Sequence, residues 1–164
     1  MLSAWVAVAW LAAAADPVAL TGTVLVHGTS LHARTLLHHG TEKSELVGEL
    51  TVELRRLQSA TVEVVGQPRD DGTFEAKEYR IIDVGGGVRP LVGLLAGASG
   101  SLQLVDGRGE PIALNVSATL AARLVDKVGA KIWVHGTTLV SGELRVLRYG
   151  ILRDPPARRA PLEP

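Results

Sequence analysis

Two stretches of this chain repeat one another 70 positions apart without a gap. Leu50 matches Leu120, Leu54 matches Leu124, Ala60 matches Ala130 and Gly66 matches Gly136. The series continues through Gly72 and Gly142, Tyr79 and Tyr149, and Ile81 and Ile151. A fixed period of this length means one folding unit used twice. The 164 residues therefore divide into two small units. Each would bury only a modest core alone, so the two are expected to pack on each other.

The hydrophobic pattern gives both units the same order of elements. In the first, Thr21–Gly28, Arg34–His39 and Glu45–Val47 read as three strands, with Gly40 to Lys43 as a turn. Val47, Leu50, Leu54 and Leu57 then follow at helical spacing, which predicts a helix from about Gly48 to Ser59. Thr61–Val65 returns to alternation, Gly66 to Gly72 forms a hairpin loop, and Thr73–Asp83 is a long last strand. In the second unit the strands are Leu91–Leu95, Leu102–Val105, Ile112–Val116, Lys131–His135 and Glu143–Leu152. Ser117 is a fair N-cap for a helix carrying Leu120, Leu124 and Val128, closed by Gly129. The inward set of the last strand runs Phe74, Ala76, then Tyr79, Ile81, and the copy runs Leu144, Val146, then Tyr149, Ile151. The repeated break in parity predicts a β-bulge near Lys77-Glu78 and near Leu147-Arg148. It also places both tyrosines in the core.

Strand, strand, strand, helix, strand, strand is the layout of the OB-fold, a five-stranded Greek-key barrel. The expected fold class is mainly β: two tandem OB-like five-stranded barrels, each with one helix between strands three and four. On Val62-x-Val64-x-Gly66 and Ile132-x-Val134-x-Gly136, each followed by a loop, a glycine and a strand ending Tyr-x-Ile, the chain resembles small bacterial periplasmic OB-fold proteins. The resemblance covers residues 18–153 and carries no catalytic residue across. It implies a ligand face over strands two and three and the loops joining strands one to two and four to five. In the first unit that face spans residues 32–39 and 67–71; in the second, 96–103 and 137–141.

Residues 1–15 form an apolar run that ends in four alanines before Asp16-Pro17, as a signal peptide cleaved after Ala15 would. No Lys or Arg precedes the run, and it is too short to span a bilayer. The expected organisation is a signal peptide over 1–15, one OB-like unit over 16–84, a Gly85-Gly86-Gly87 linker over 85–90, a second unit over 91–153 and a disordered tail over 154–164. The units differ in charge. Residues 16–83 carry seven Lys and Arg against eleven Asp and Glu, and residues 84–164 carry ten against six. With no cysteine, disulfides, thiolate nucleophiles and Cys-based zinc sites are excluded.

Candidate chemistry is sparse. His27, His32, His38 and His39 cluster in sequence, but in no metal-binding motif, and adjacent His38 and His39 would face opposite sides of a strand. No metal or other cofactor is expected. There is no Gly-x-Ser-x-Gly elbow, and Gly85-Gly86-Gly87 is no phosphate loop, so the chain is not expected to be an enzyme. From residue 16 onward the aromatic residues are Phe74, Tyr79, Trp133 and Tyr149, too few for base stacking along a groove.

The candidate ligand-face residues are His32, Arg34, His38, Arg69 and Trp133. The expected role is that of an exported, non-catalytic binding or interaction module of the cell envelope, periplasmic or secreted. Its partner would be a protein or small ligand there, with nucleic acid not an expected partner and no stable membrane span after cleavage. The alternative is a periplasmic small-ligand or metal-handling protein using the His-rich edge; the third reading is oligonucleotide or oligosaccharide binding.

Overall fold

The computed structural model describes residues 16–29, 32–98 and 100–157. The proposed signal segment and the end of the expected tail, 158–164, lie outside the described residues. The protein is mainly β. Five strands, β1 (Val18–His27), β2 (Arg34–His39), β3 (Glu42–Val47), β4 (Thr61–Pro68) and β5 (Thr73–Asp83), close into a barrel in the order β1-β2-β3-β5-β4. Five more form a second ring, β10-β8-β7-β6-β9. They are β6 (Leu91–Ala98), β7 (Ser101–Asp106), β8 (Pro111–Asn115), β9 (Lys131–Thr138) and β10 (Leu144–Arg153). In each ring the third strand pairs parallel with the fifth and every other pairing is antiparallel. This order, with a helix between strands three and four, is compatible with an OB-like fold. Among the described residues no helix is long and apolar enough to cross a membrane.

The helices are shorter than the stripe predicts. The first, α1, covers only Thr51–Arg55, not 48–59. Gly48 and Ser59 bracket it with positive φ, +100° and +68°. The turn after it is claimed by β1 instead: the Ser59 amide donates to the Val24 carbonyl at 2.8 Å, and the Val24 amide donates to Ala60 at 2.9 Å. Leu54 and Leu57 are buried all the same, because the turns keep the stripe facing the barrel. The second helix, α2 (Ala118–Val125), is capped as the sequence predicts, the Ser117 hydroxyl accepting the Leu120 amide at 3.3 Å. Gly129 stands where the first unit has Ser59, donating to Leu95 at 2.8 Å. Strands also run beyond their expected ends. β3 starts at Glu42, leaving Gly40-Thr41 as the turn; β4 reaches Pro68 and β9 reaches Thr138, which shortens both hairpin loops.

The predicted bulges are present. On β5 the pairing passes from Ala76 opposite Gly66 to Glu78 opposite Val65, so Lys77 is the extra residue. On β10 it passes from Val146 opposite Gly136 to Arg148 opposite His135, so Leu147 is. A second repeated irregularity lies further on and escapes the sequence pattern: Ile82 on β5 and Leu152 on β10 are both skipped. It sends consecutive residues to different places. Ile151 packs on the second ring's core, whereas Leu152 is fully buried in the first ring's core beside Leu54, Val62 and Ile81.

Gly66 and Gly136 stand opposite the residue just before each bulge. A Cβ on Gly66 would overlap the Glu75 carbonyl oxygen, and one on Gly136 the Arg145 carbonyl oxygen. The strands bend here too closely for any side chain. Gly136→Ala is therefore expected to cost about 1–3 kcal/mol, the range of overpacked interiors, read by urea unfolding. A loss under about 0.5 kcal/mol, typical of neutral surface changes, would show that the strands part freely.

Candidate functional site

Where the two rings meet, α1 supplies a buried carboxylate. Glu53 accepts the Tyr79 hydroxyl of β5 and the Lys131 ammonium of β9, both at 2.6 Å, and Arg153 Nε of β10 lies 3.6 Å away. The Lys131 ammonium also sits 4.9 Å from the centre of the Tyr79 ring, within cation–π range. Burial pushes the Glu53 carboxyl up, but the hydrogen bonds from Lys131 and Tyr79 and the charges of Lys131 and Arg153 outweigh it. The group is held below the usual glutamate range. Burial first, then the bond to Glu53, pushes the Tyr79 phenol up, so it stays protonated and remains a donor. Tyr79 and Tyr149, expected as core residues, are half-buried and pack on the cores of their own rings.

Further contacts tie the rings around this junction. Asp154 accepts from Arg56 at 2.6 Å and from Lys127 at 3.2 Å, so the expected tail begins as a bridge between the units. Arg148 donates to the Val84 and Gly85 carbonyls at 3.0 and 3.3 Å. The linker, flexible by composition, is also gathered by the Asp83 carboxylate, which accepts the amides of Gly85, Gly87 and Val88.

Beside the junction the rings enclose a cleft of about 630 Å³, a size common for small-ligand sites. One wall is β5 of the first ring. The other is the segment entering β6, the β7–β8 hairpin and Lys131. Leu91 and Val92 give the cleft apolar surface, and four cations line it: Arg80, Arg89, Arg108 and Lys131. Two are paired, Arg80 with Glu63 at 2.9 Å on the surface and Lys131 with the buried Glu53. Arg89 and Arg108 are exposed and make no ion pair among the described residues. Asp106 is the one acidic group among the described lining residues. Its carboxylate accepts the amides of Glu110 at 2.9 Å and Arg108 at 2.8 Å, which shapes the hairpin and holds the group below the usual carboxylate range. The cleft is thus electropositive.

None of the five residues singled out from the sequence lines it. Arg34 and His38 share the outer face of β2, His32 is exposed just before that strand, and Arg69 is exposed at the start of the β4–β5 loop. Arg34 is paired with Glu45 and Lys77 with Glu75, and Asp71 accepts the Thr73 hydroxyl and amide. His39 is turned to the other side of β2 and shares a 2.8 Å hydrogen bond with the Ser44 hydroxyl. Among the described residues no three His, Asp or Glu side chains converge as a metal site. Trp133 belongs to the other ring. It packs against the first ring's core and covers Gly150, where a Cβ would meet the indole, with the Arg148 guanidinium 6.0 Å from the ring centre.

The residues missed are Glu53, Arg89, Arg108 and Lys131. One signal existed for the first: Glu53 and Arg123 are repeat partners of opposite charge beside a matched pair of leucines. No family model matches the chain, and no curated protein matches it either.

Proposed function

We propose that this chain is an exported, non-catalytic binding module of the cell envelope, made of two tandem OB-like barrels that present one ligand site between them. The observation that carries the reading is the cleft itself, whose walls come from both rings. Contacts of Glu53, Leu152 and Asp154 hold the rings together beside it. Binding sites favour such junctions. Export rests on the apolar run over residues 1–15 and its alanine-rich end. The outer face of β2 and β3, the usual OB ligand surface, lies on one ring alone and is the lesser candidate.

Two readouts test the proposal. Expressed in a bacterium, the protein is expected in the osmotic-shock fraction with Asp16 as its first residue by mass spectrometry. Intact Met1 in the cytosolic fraction would remove the export part. For the site, a thermal-shift screen of small envelope metabolites is run on the protein and on Leu91→Trp, which fills the cleft from an exposed position. Hits are expected to vanish in the variant; hits that persist place the ligand elsewhere.

A further inference from the structure

We propose that the cleft between the rings binds an organic phosphate, its phosphoryl group clamped by Arg89 and Arg108 and its apolar body laid on Leu91 and Val92. The inference deepens the binding-module reading by naming the ligand chemistry.

The charge balance of the cleft points to an anion. Arg80 and Lys131 are paired with Glu63 and Glu53, which leaves Arg89 and Arg108 against the single carboxylate of Asp106, a small net positive charge. Junction and hairpin each explain one charge: Lys131 neutralises Glu53, and Asp106 builds its own turn. Arg89 and Arg108 form no ion pair among the described residues, although the Arg108 charge also favours the ionised Asp106 carboxyl. They come from two separate segments, the linker's exit and the β7–β8 hairpin, and meet at one cavity. Two planar guanidinium forks are suited to a tetrahedral anion with several acceptor oxygens. Arg80 is available as a third, since its pair with Glu63 is more than half exposed on the arginine side and such surface pairs are worth little.

The number of cations favours a phosphate monoester over a carboxylate. A monoester carries about −1.5 to −2 near neutral pH, enough to satisfy two arginines at once, whereas a carboxylate satisfies one. Free inorganic phosphate would leave the apolar part of the cleft unused. Leu91 is 44% exposed there, and covering it is the favourable contribution an organic body adds. Because Tyr79 and Arg80 of β5 line the wall facing Arg89 and Arg108, a ligand filling the cleft would touch both rings and raise the melting temperature.

The test is isothermal titration of the full mature chain with 1-naphthyl phosphate at low salt. Saturable binding is expected, much weaker with inorganic phosphate and absent with neutral 1-naphthol. Arg89→Ala with Arg108→Ala is expected to weaken it by about a hundredfold, a factor of about ten for each arginine whose charge-assisted hydrogen bonds to the phosphate are removed. Both residues are exposed, so the double variant is expected to keep the parent's circular dichroism. Arg34→Ala, on the rim of the first barrel, is expected to leave binding unchanged.

Vesicles containing phosphatidic acid, whose headgroup is a phosphate monoester, distinguish the source of the phosphate. Capture that 1-naphthyl phosphate displaces, and that the double variant loses, supports the proposal with a lipid headgroup as ligand. No capture, alongside naphthyl phosphate binding, supports it with a soluble phosphate ester. No saturable binding of 1-naphthyl phosphate, or equal affinity in the double variant, overturns the proposal. Either result leaves the export and thermal-shift readouts of the broader reading standing on their own.

Discussion

Glu53→Ala is expected to destabilise the protein by about 3 kcal/mol, the lower end of the range for breaking a buried ion pair. The substitution removes the one acceptor shared by Tyr79 and Lys131. Lys131 retains some solvent access, with 27% of its side chain exposed, which is why the lower end applies. The Tyr79 hydroxyl, at the same half-buried site, is left without a partner. Urea unfolding is the measurement. A loss under about 1 kcal/mol would mean that water already screens the junction.

The same carboxylate sets an acid limit. Its folded pKa lies below its unfolded value, so the stabilisation is fully present above the unfolded pKa, near 4.3. It is lost as pH falls through the folded value. The parent should therefore lose stability more steeply than Glu53→Gln below about pH 4.3. Replacing Glu53 and Lys131 together by methionine is expected to restore much of the stability, because no charge then remains buried alone.

The part of the fold that could be read from the sequence is the part where both units keep equal loop lengths. From Leu50 to Ile81 neither unit gains or loses a residue against the other, so the core positions repeat at 70 and even the Lys77 and Leu147 bulges show as parity breaks. Upstream, register slips. Val24 and Leu95 hold the same place, each exchanging hydrogen bonds with the strand-four side of its ring, yet they are one step beyond the 70-residue spacing. Leu37 and Leu104, and Leu46 and Leu114, are likewise equivalent by pairing and out of step by number. Turn residues absorb these length differences, and turns carry little hydrophobic pattern to align.

The site was less legible for a different reason. Glu53 reads as a solvated helix position until Lys131, 78 residues away, is brought against it. A histidine run is conspicuous in a sequence, whereas two single arginines near a linker and a hairpin are not. Only docking of the rings makes Arg89 and Arg108 neighbours of one cavity.

Leu152→Ala is expected to cost about 2–5 kcal/mol, as other fully buried leucine truncations do, and to weaken the first ring although the residue belongs to the second. Leu152 has no exposed surface and lies among Leu54, Val62 and Ile81. Its repeat partner Ile82 occupies the same bulge on β5 but is only partly buried and joins neither core. Ile82→Ala is therefore expected to cost under about 1.5 kcal/mol, the ordinary range for a side chain that fills no interior space. The contrast separates two causes. If the bulge alone needed a large residue, both truncations would cost the same. If docking sets the cost, only Leu152 should be expensive. Trp133 supplies the probe, since it is the one tryptophan from residue 16 onward and packs against the first ring's core. In Leu152→Ala its emission is expected to shift to the red at lower urea than in the parent, as the rings separate and water reaches the indole. Equal costs at Leu152 and Ile82, or unchanged Trp133 emission through the transition, would mean that the rings do not share a core in solution.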